Sequence, residues 1–227
     1  MQKTIRSLPL TALLITHCFF LITSTCCAYN IPENFGKTHF ITGLKHYPEL
    51  IDKKQQDNPR SHIQCAALFS PNQVVFDTLC ELITNEQSKI CIAVYTLTDV
   101  RIAKELVKAK QRGVHVEIIT DRSSPLDRST KIGLLHANNI PIFLYQPPLE
   151  NNVQKGLMHN KFALFFNNGP MHEKVIWHGS FNFSYSGYRH NCESILILRE
   201  SSIFQQFESE FKQIKGKSTR YQPQSNV

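Results

Sequence analysis

The sequence lacks the cysteine pairs that are typical of a zinc site. Seven cysteines occur in 227 residues. The four that follow the N-terminal segment are Cys65, Cys80, Cys91 and Cys192. None of them forms a CxxC pair, and each lies in an apolar strand or helix pattern, which argues against zinc ligation. Disulfides and buried free thiols both stay open at this point.

Two further absences narrow the function. No internal repeat is visible, which argues against a chain built from two similar halves. Aromatic and basic residues do not alternate regularly, so no stacking platform for single-stranded nucleic acid is indicated. What is present is ordinary for a globular protein: 41% hydrophobic and 19% charged residues, in a chain long enough for one domain with a full core.

The charge balance is positive. The formal net charge is +7, and removal of Lys3 and Arg6 with residues 1–28 leaves +5 (7 − 2). A positive surface favours anionic partners, nucleic acid or acidic lipid, without choosing between them.

The N-terminus departs from a globular pattern. Lys3 and Arg6 precede an uncharged run over residues 7–28, whose centre is apolar. This pattern predicts a secretory signal peptide over residues 1–28, with cleavage after Ala28. An uncleaved membrane anchor is the alternative. Either prediction places the rest of the chain outside the cytosol, as an exported (secreted or periplasmic) or a membrane-anchored protein.

The remaining chain divides into three parts. Residues 29–61 are polar and predict an arm or linker, residues 62–215 predict one catalytic domain, and residues 216–227 predict a disordered basic tail. Within the domain, strands are predicted at 63–69, 89–95, 114–120, 141–145 and 193–198, and helices at 73–85, 100–112, 128–137 and 201–215. The alternation predicts an α/β fold with a mixed, largely parallel central sheet and helices on both faces.

Two stretches carry candidate catalytic groups. If residues 158–166 and the chain after residue 178 are read as strands, polar side chains alternate with phenylalanines. One imidazole, one ammonium, an amide and a hydroxyl then converge above an apolar wall. These groups belong to His159, Lys161, Asn182 and Ser180. Such a set is suited to holding a phosphate and attacking it.

The two stretches resemble the signature of the phospholipase D superfamily, His-x-Lys with a later Asp, then Gly-Ser-x-Asn. The matching residues are His159, Lys161, Gly179, Ser180 and Asn182, and Asn191-Cys192-Glu193 is similar to the Asn-x-Glu of small bacterial members. The resemblance covers about residues 66–211. It implies the fold of that family, with one motif copy per chain, and therefore a homodimer whose two copies meet at one active site.

The resemblance also implies roles. One His159 attacks phosphorus to form a phosphohistidine, while the His159 of the second copy protonates the leaving group and then activates water. Lys161 and Asn182 hold the non-bridging oxygens, and Ser180 is a further polar contact. Glu193 fixes the tautomer of the histidine. The chemistry implied needs no metal and no other cofactor.

Phe166 stands where the family has its Asp. By strand parity it points away from His159 and Lys161, so we expect an active phosphoric diester hydrolase. The alternative is an impaired scaffold that binds phosphate or nucleic acid. The substrate, phospholipid or DNA/RNA, is left open: an N-terminal anchor favours lipid, and a cleaved secreted form favours a nuclease.

The other histidines lack such company. His115, His136 and His172 are predicted to be surface or structural residues, and His178 is predicted to end a hairpin strand rather than line the pocket.

Overall fold

The computed structural model describes residues 64–223. The predicted signal peptide or anchor, the predicted arm over residues 29–61 and the last four residues of the chain lie outside the described residues. Within residues 64–223, no helix is both long and apolar enough to span a bilayer.

Strands and helices alternate from the first strand to the fourth. Later in the chain, the successive seventh, eighth and ninth strands pair with one another. The strands are β1 (Gln64–Ser70), β2 (Lys89–Val94), β3 (His115–Asp121), β4 (Ile142–Tyr145), β5 (Leu149–Glu150), β6 (Val153–Gln154), β7 (Lys161–Asn168), β8 (Glu173–Gly179), β9 (Glu193–Arg199) and β10 (Ser218–Arg220). The helices are α1 (Gln73–Asn85), α2 (Val100–Gln111), α3 (Ile132–Ala137), α4 (Tyr185–Arg189) and α5 (Ser201–Gly216), with a 3₁₀ turn at Ser124–Leu126.

Eight of the strands form one sheet in the order β1-β9-β8-β7-β2-β3-β4-β10. The α/β class and the mixed sheet are confirmed. The expectation of a largely parallel sheet is wrong, because only the β2–β3 and β3–β4 pairs are parallel. The short connection between β7 and β8 is a hairpin, and a hairpin joins strands in antiparallel orientation.

Apolar side chains cover both faces of this sheet. One cluster includes Val75 of α1 and Ile102 of α2 and packs against the sheet with Trp177. The other cluster joins Phe204 and Phe211 of α5 to the opposite face. Helices therefore lie on both faces, as predicted.

The starts of the first two long helices follow from local sequence. Asn72 accepts a hydrogen bond from the backbone N–H of Val74, and Asp99 accepts from Arg101 and Ile102. Such side chains satisfy N–H groups that have no partner within the helix.

Short strands in polar segments escaped the prediction. β10 pairs with β4, so the predicted disordered tail is wrong for Ser218–Arg220. β5 and β6 form a small hairpin in a segment where no strand was predicted. Both are too short to show a recognisable alternation of apolar residues.

Buried cysteines are thiols in this fold. Cys80 and Cys91 are unbridged, and burial raises the pKa of each to about 12. Thiols with such pKa values are protonated at neutral pH and unreactive.

Candidate active site

The candidate residues meet at the edge of the sheet where β2 and β3 end and β7 begins. β7 starts at Lys161, so His159 precedes the strand instead of alternating along it. The predicted shared strand face of His159 and Lys161 is therefore wrong in detail. Their proximity is direct: Lys161 Nζ lies 3.2 Å from His159 Nδ1 and donates to the His159 carbonyl oxygen at 2.7 Å.

Tyr95 supports the imidazole from the end of β2. Its ring centroid lies 4.8 Å from that of His159 at an interplanar angle of 52°. Its backbone N–H donates to the carbonyl oxygen of Asn160 at 3.0 Å. Lys161 Nζ lies 5.5 Å from the centre of the same ring. Tyr95 thus contacts both charged groups of the motif.

Asp121 fixes the chain that leads into the motif. This carboxylate is fully buried at the end of β3. It accepts hydrogen bonds from the backbone N–H of Met158 at 3.0 Å and from Ser123. Because Met158 immediately precedes His159, this hydrogen bond fixes the backbone from which the His159 side chain projects.

The sequence reasoning missed Tyr95 and Asp121 as site residues. Each follows or ends a strand of the parallel part of the sheet, Tyr95 after β2 and Asp121 in β3. Ligand sites in sheets of this kind form beyond the carboxyl ends of the strands. The positions of Tyr95 and Asp121 at such ends could therefore have indicated that they belong to the site.

The second motif is positioned by close contact between β8 and β9. A Cβ atom added at Gly179 would lie 2.0 Å from the backbone oxygen of Ser194, so no side chain fits there. The backbone N–H of Ser194 donates to Ser180 Oγ at 3.1 Å. Ser180 in turn donates to Glu193.

Glu193 bonds to the second motif rather than to the histidine. Within one chain its carboxylate accepts from Ser180 and from Asn191 Nδ2. The predicted hydrogen bond from His159 to Glu193 is therefore not formed inside a single chain. The Glu193 charge still acts on Lys161, as its effect on the pKa of that amine shows.

Asn182 lies beside the end of β2. Its neighbour Phe183 forms a bridge with Leu97 and donates its backbone N–H to Thr96 at 3.1 Å. The side-chain oxygen of Asn182 is buried and has no hydrogen-bond partner among the described residues. A buried amide oxygen without a partner is available to a hydrogen-bond donor.

Lys161 is an unusual ammonium because it is buried, with 6% of its surface exposed. Burial lowers the pKa of its amine from the ordinary value, and the nearby Glu193 carboxylate opposes this effect. Desolvation disfavours the charged form, so an incoming anion gains more from this cation than from one in water.

A groove of about 360 Å³ opens beside His159. The groove has both apolar and charged lining residues. Tyr145, Met158 and Ile214 are largely apolar, and Glu210 and Lys217 are charged. The groove gives a substrate room to lie against the imidazole.

The other end of β7 has a different character. Phe166 is half-buried and packs edge-on against Phe204 of α5, with ring centroids 5.0 Å apart. The carboxylate at this end comes from Glu86, which is buried and accepts the backbone N–H groups of Ser88, Lys89 and Asn167. Phe166 therefore lies outside the cluster around His159.

The sequence contains a second His-x-Lys at His172-Glu173-Lys174. It lies at the β7–β8 hairpin, where His172 is exposed and its Nδ1 lies 2.8 Å from Asn167 Oδ1. His178 is partly buried: it contacts the ring of Phe207, and burial lowers its pKa. Neither His172 nor His178 lines the groove beside His159.

Within the described part of the chain, no three or more His, Cys, Asp or Glu side chains are grouped so as to hold a metal ion.

Comparisons with known proteins place the chain in a family. The family model "Cardiolipin synthase, PLD-like domain" matches residues 79–215. Phospholipase D of Rickettsia bellii is 23% identical over 160 residues, which are 70% of this chain and 73% of the relative. Mitochondrial cardiolipin hydrolase of Xenopus laevis is 24% identical over 151 residues, 66% of each chain.

Among solved structures, NucT from Helicobacter pylori has a similar fold. The TM-score is 0.63 at 21% sequence identity, over 70% of this chain and 99% of that one. With the fold, the paired motifs and the family match in agreement, the chain belongs to the phospholipase D superfamily, a family of phosphodiesterases.

Proposed function

We propose that this protein hydrolyses phosphodiester bonds through a covalent phosphohistidine, at a site formed by two copies of the chain. The observation that carries the proposal is the contact between Lys161 Nζ and the Nδ1 atom of His159, a residue that lines the groove. It places a partly desolvated cation beside a nucleophile, and the pair matches the family motif.

The reaction proceeds in two displacements. In the first, Nε2 of one His159 forms a bond to phosphorus and the bond from phosphorus to the leaving oxygen breaks. The imidazolium of the second copy's His159 gives its proton to that oxygen. In the second, water attacks phosphorus, the same imidazole takes its proton, and the N–P bond breaks.

Two His159 rings suit these roles because the unperturbed pKa of imidazole is ~6.5. The attacking ring acts in its neutral form and the proton donor in its charged form. Lys161 and Asn182 of both copies bind the non-bridging oxygens, so protein charges supply the stabilisation of the transition state.

The Lys161 contact also bears on the tautomer. An ammonium only donates, so in this arrangement Nδ1 of His159 accepts and Nε2 carries the proton of the neutral ring. The attacking ring needs the opposite tautomer. When a phosphate draws Lys161 onto its own oxygens, Nδ1 is free to take up a proton from solvent and Nε2 gives up its proton to solvent, which leaves the Nε2 lone pair available for attack.

Self-association is supported by the surface next to Glu193. Phe69 of β1 and Leu196 of β9 are 65% and 44% exposed, and Phe69 pairs with Ser194, the residue after Glu193. Apolar side chains exposed beside a half-complete site favour a second copy of the same chain.

The position of Phe166 supports activity over the alternative of an impaired scaffold. Its ring belongs to the contact with Phe204, and the carboxylate at that end of β7 is supplied by Glu86. The groups that carry the proposed reaction are all present at the other end.

One assay tests the proposal. Purified protein in the presence of a chelator is offered a labelled phospholipid, single-stranded DNA and duplex DNA in parallel. We expect cleavage of at least one of them, loss of that cleavage in His159→Ala, and acid-labile phosphate on His159 of the wild type. Binding without turnover in every arm would leave the scaffold as the better description.

Subunit mixing tests the shared site. Wild-type and His159→Ala chains are mixed and allowed to exchange, and activity is measured against the wild-type fraction. A site built from two imidazoles loses activity as the square of that fraction. A linear dependence would show that one chain suffices.

A further inference from the structure

The edge that carries His159 is unusually apolar on its outside. Four aliphatic side chains there are strongly exposed: Leu126 at 83%, Leu149 at 66%, Val153 at 57% and Leu157 at 55%. They lie on loops rather than on the face of a long helix or of the main sheet. Leu157 also lines the groove next to His159. We call Leu126, Leu149 and Val153, which lie outside the groove, the apolar rim.

The apolar rim is one structure, although it comes from two loops. Leu126 belongs to the 3₁₀ turn after β3, and the other two belong to the β5–β6 hairpin. Arg122 ties the loops together, because its guanidinium donates to the side-chain and backbone oxygens of Gln154. The hairpin turns through Asn151 and Asn152, both in the left-handed region with φ of 51° and 62°, as a tight two-residue turn requires.

The same loops carry more positive than negative charge. Residues 122–131 and 149–157 contain four cations, Arg122, Arg128, Lys131 and Lys155, and two carboxylates, Asp127 and Glu150. Their net charge is +2 (4 − 2). Lys155 pairs with Glu150 at 3.5 Å, so the positive excess comes from the loop after β3. Exposed aliphatic side chains on loops that also carry arginine and lysine are typical of a surface that enters the headgroup region of an anionic bilayer.

We propose that the apolar rim docks on a membrane containing anionic phospholipid, and that the substrate is a phospholipid in that membrane. The inference rests on the proposed phosphodiesterase function for its substrate. Docking in this orientation places the groove and His159 at headgroup depth, where the phosphodiester of a lipid lies. Leu157 then continues the apolar surface from the bilayer into the groove.

The orientation is tested with an inserted tryptophan. The chain has one tryptophan, Trp177, which is fully buried. Leu126→Trp and Met171→Trp are prepared in the full-length His159→Ala background, so no lipid is consumed. Met171 is the matched control because it is 74% exposed on the β7–β8 hairpin, away from the site. The probe is a vesicle of phosphatidylglycerol and phosphatidylcholine brominated on its acyl chains.

We expect at least twofold quenching at position 126 and none at position 171 beyond that of the unsubstituted background. This contrast reports orientation, so it holds whether or not the N-terminal segment also binds the vesicle. Equal quenching at both positions, or none at position 126, would overturn the proposal.

A kinetic measurement separates this inference from the proposed function. Leu126→Ser/Leu149→Ser/Val153→Ser is compared with Met171→Ser on vesicle phospholipid and on a water-soluble phosphodiester, bis(p-nitrophenyl) phosphate. We expect the triple variant to lose tenfold or more on vesicles and less than twofold on the soluble ester, and the control to lose neither. Equal loss on both would overturn membrane docking, as would conversion of a dimer into a monomer by the triple variant, which would assign the rim to a second copy. If the wild type cleaves DNA but no vesicle phospholipid, the lipid substrate inferred here is overturned while the proposed function stands. If it cleaves neither these two compounds nor DNA, the proposed function fails, and quenching at position 126 still reports docking.

Discussion

The two ends of β7 show opposite uses of polar groups. At the end near His159, the Lys161 ammonium, whose pKa is lowered, is held by His159, the buried Asn182 side-chain oxygen has no partner among the described residues, and the exposed imidazole lines a groove. At the far end, Glu86 is buried, and each of its contacts is a hydrogen bond that holds backbone or side chain in place.

This difference separates chemistry from stability along a single strand. Polar groups that satisfy one another stabilise the fold, whereas groups left without internal partners are available to a ligand. Phe166 occupies the position of the family's Asp at the far end of β7. The phenylalanine in place of Asp therefore affects the packing against α5 and leaves the groups near His159 intact. The predictions below test whether the two ends are as separate as they look.

The largest effect is expected from His159. His159→Ala removes the nucleophile and should lower kcat by about 10³-fold or more. His172→Ala is the matched control, because His172 also stands in a His-x-Lys sequence but lies at the hairpin. Steady-state rates of both variants give the comparison, and a comparable loss in His172→Ala would contradict the assignment.

Lys161 should come next. Lys161→Gln removes the cation that binds non-bridging oxygens and should cost about 10²–10³-fold in kcat. Lys174→Gln replaces the lysine of the other His-x-Lys sequence and should change kcat by less than twofold. Equal rates for Lys161→Gln and the wild type would show that the ammonium takes no part in the reaction.

Glu86 should behave in the reverse manner. Glu86→Gln presents an amide to N–H donors that now face a carboxylate, and should lower the free energy of unfolding by about 2–4 kcal/mol. Urea unfolding measures that loss, and kcat is measured where the variant is fully folded. A large loss of kcat in folded protein would mean that the two ends of β7 are coupled.

Restoring the family residue at position 166 should be harmful. Phe166→Asp exchanges the contact with Phe204 for a half-buried carboxylate and should lower the free energy of unfolding by about 1–3 kcal/mol. We expect no gain in kcat. A rise in activity would favour the impaired-scaffold alternative for the natural sequence.

The smallest effect concerns the titration of Lys161. Burial lowers the pKa of its amine below 10.5 in the folded chain. The unfolded chain then keeps the proton to higher pH, so the stability of the native state increases as pH rises through the folded pKa towards 10.5. Glu193→Gln removes the opposing charge and should lower the pKa further. Nitrogen-15 NMR of the amine measures both values; titration of Lys161 at or above 10.5 would contradict the burial argument.

Much of the fold was predictable because its long elements have clear patterns. The apolar stripe of α1 and the continuous apolar run of β3 predicted both elements with bounds within about one residue of those observed. Strand direction was not predictable in the same way, because side-chain alternation is identical in parallel and antiparallel strands. The short connection between β7 and β8 could have predicted that these two strands are antiparallel, because a hairpin joins antiparallel strands.

The candidate site was predictable where residue chemistry is distinctive. Among the residues that the motifs single out, His159 contacts Lys161 and Ser180 contacts Glu193. The supporting contacts were not predictable, because they depend on which backbone segments meet. Asp121 reaches Met158 across 37 positions in the sequence, and the Ser180 hydroxyl, rather than His159, meets Glu193.

Gly179 limits how this enzyme can vary. Because the neighbouring strand leaves no space for even a methyl group there, sequence libraries aimed at new substrate preferences should hold position 179 constant. Diversity is better introduced at Glu210 and Gln213 of α5, which line the groove and have exposed side chains.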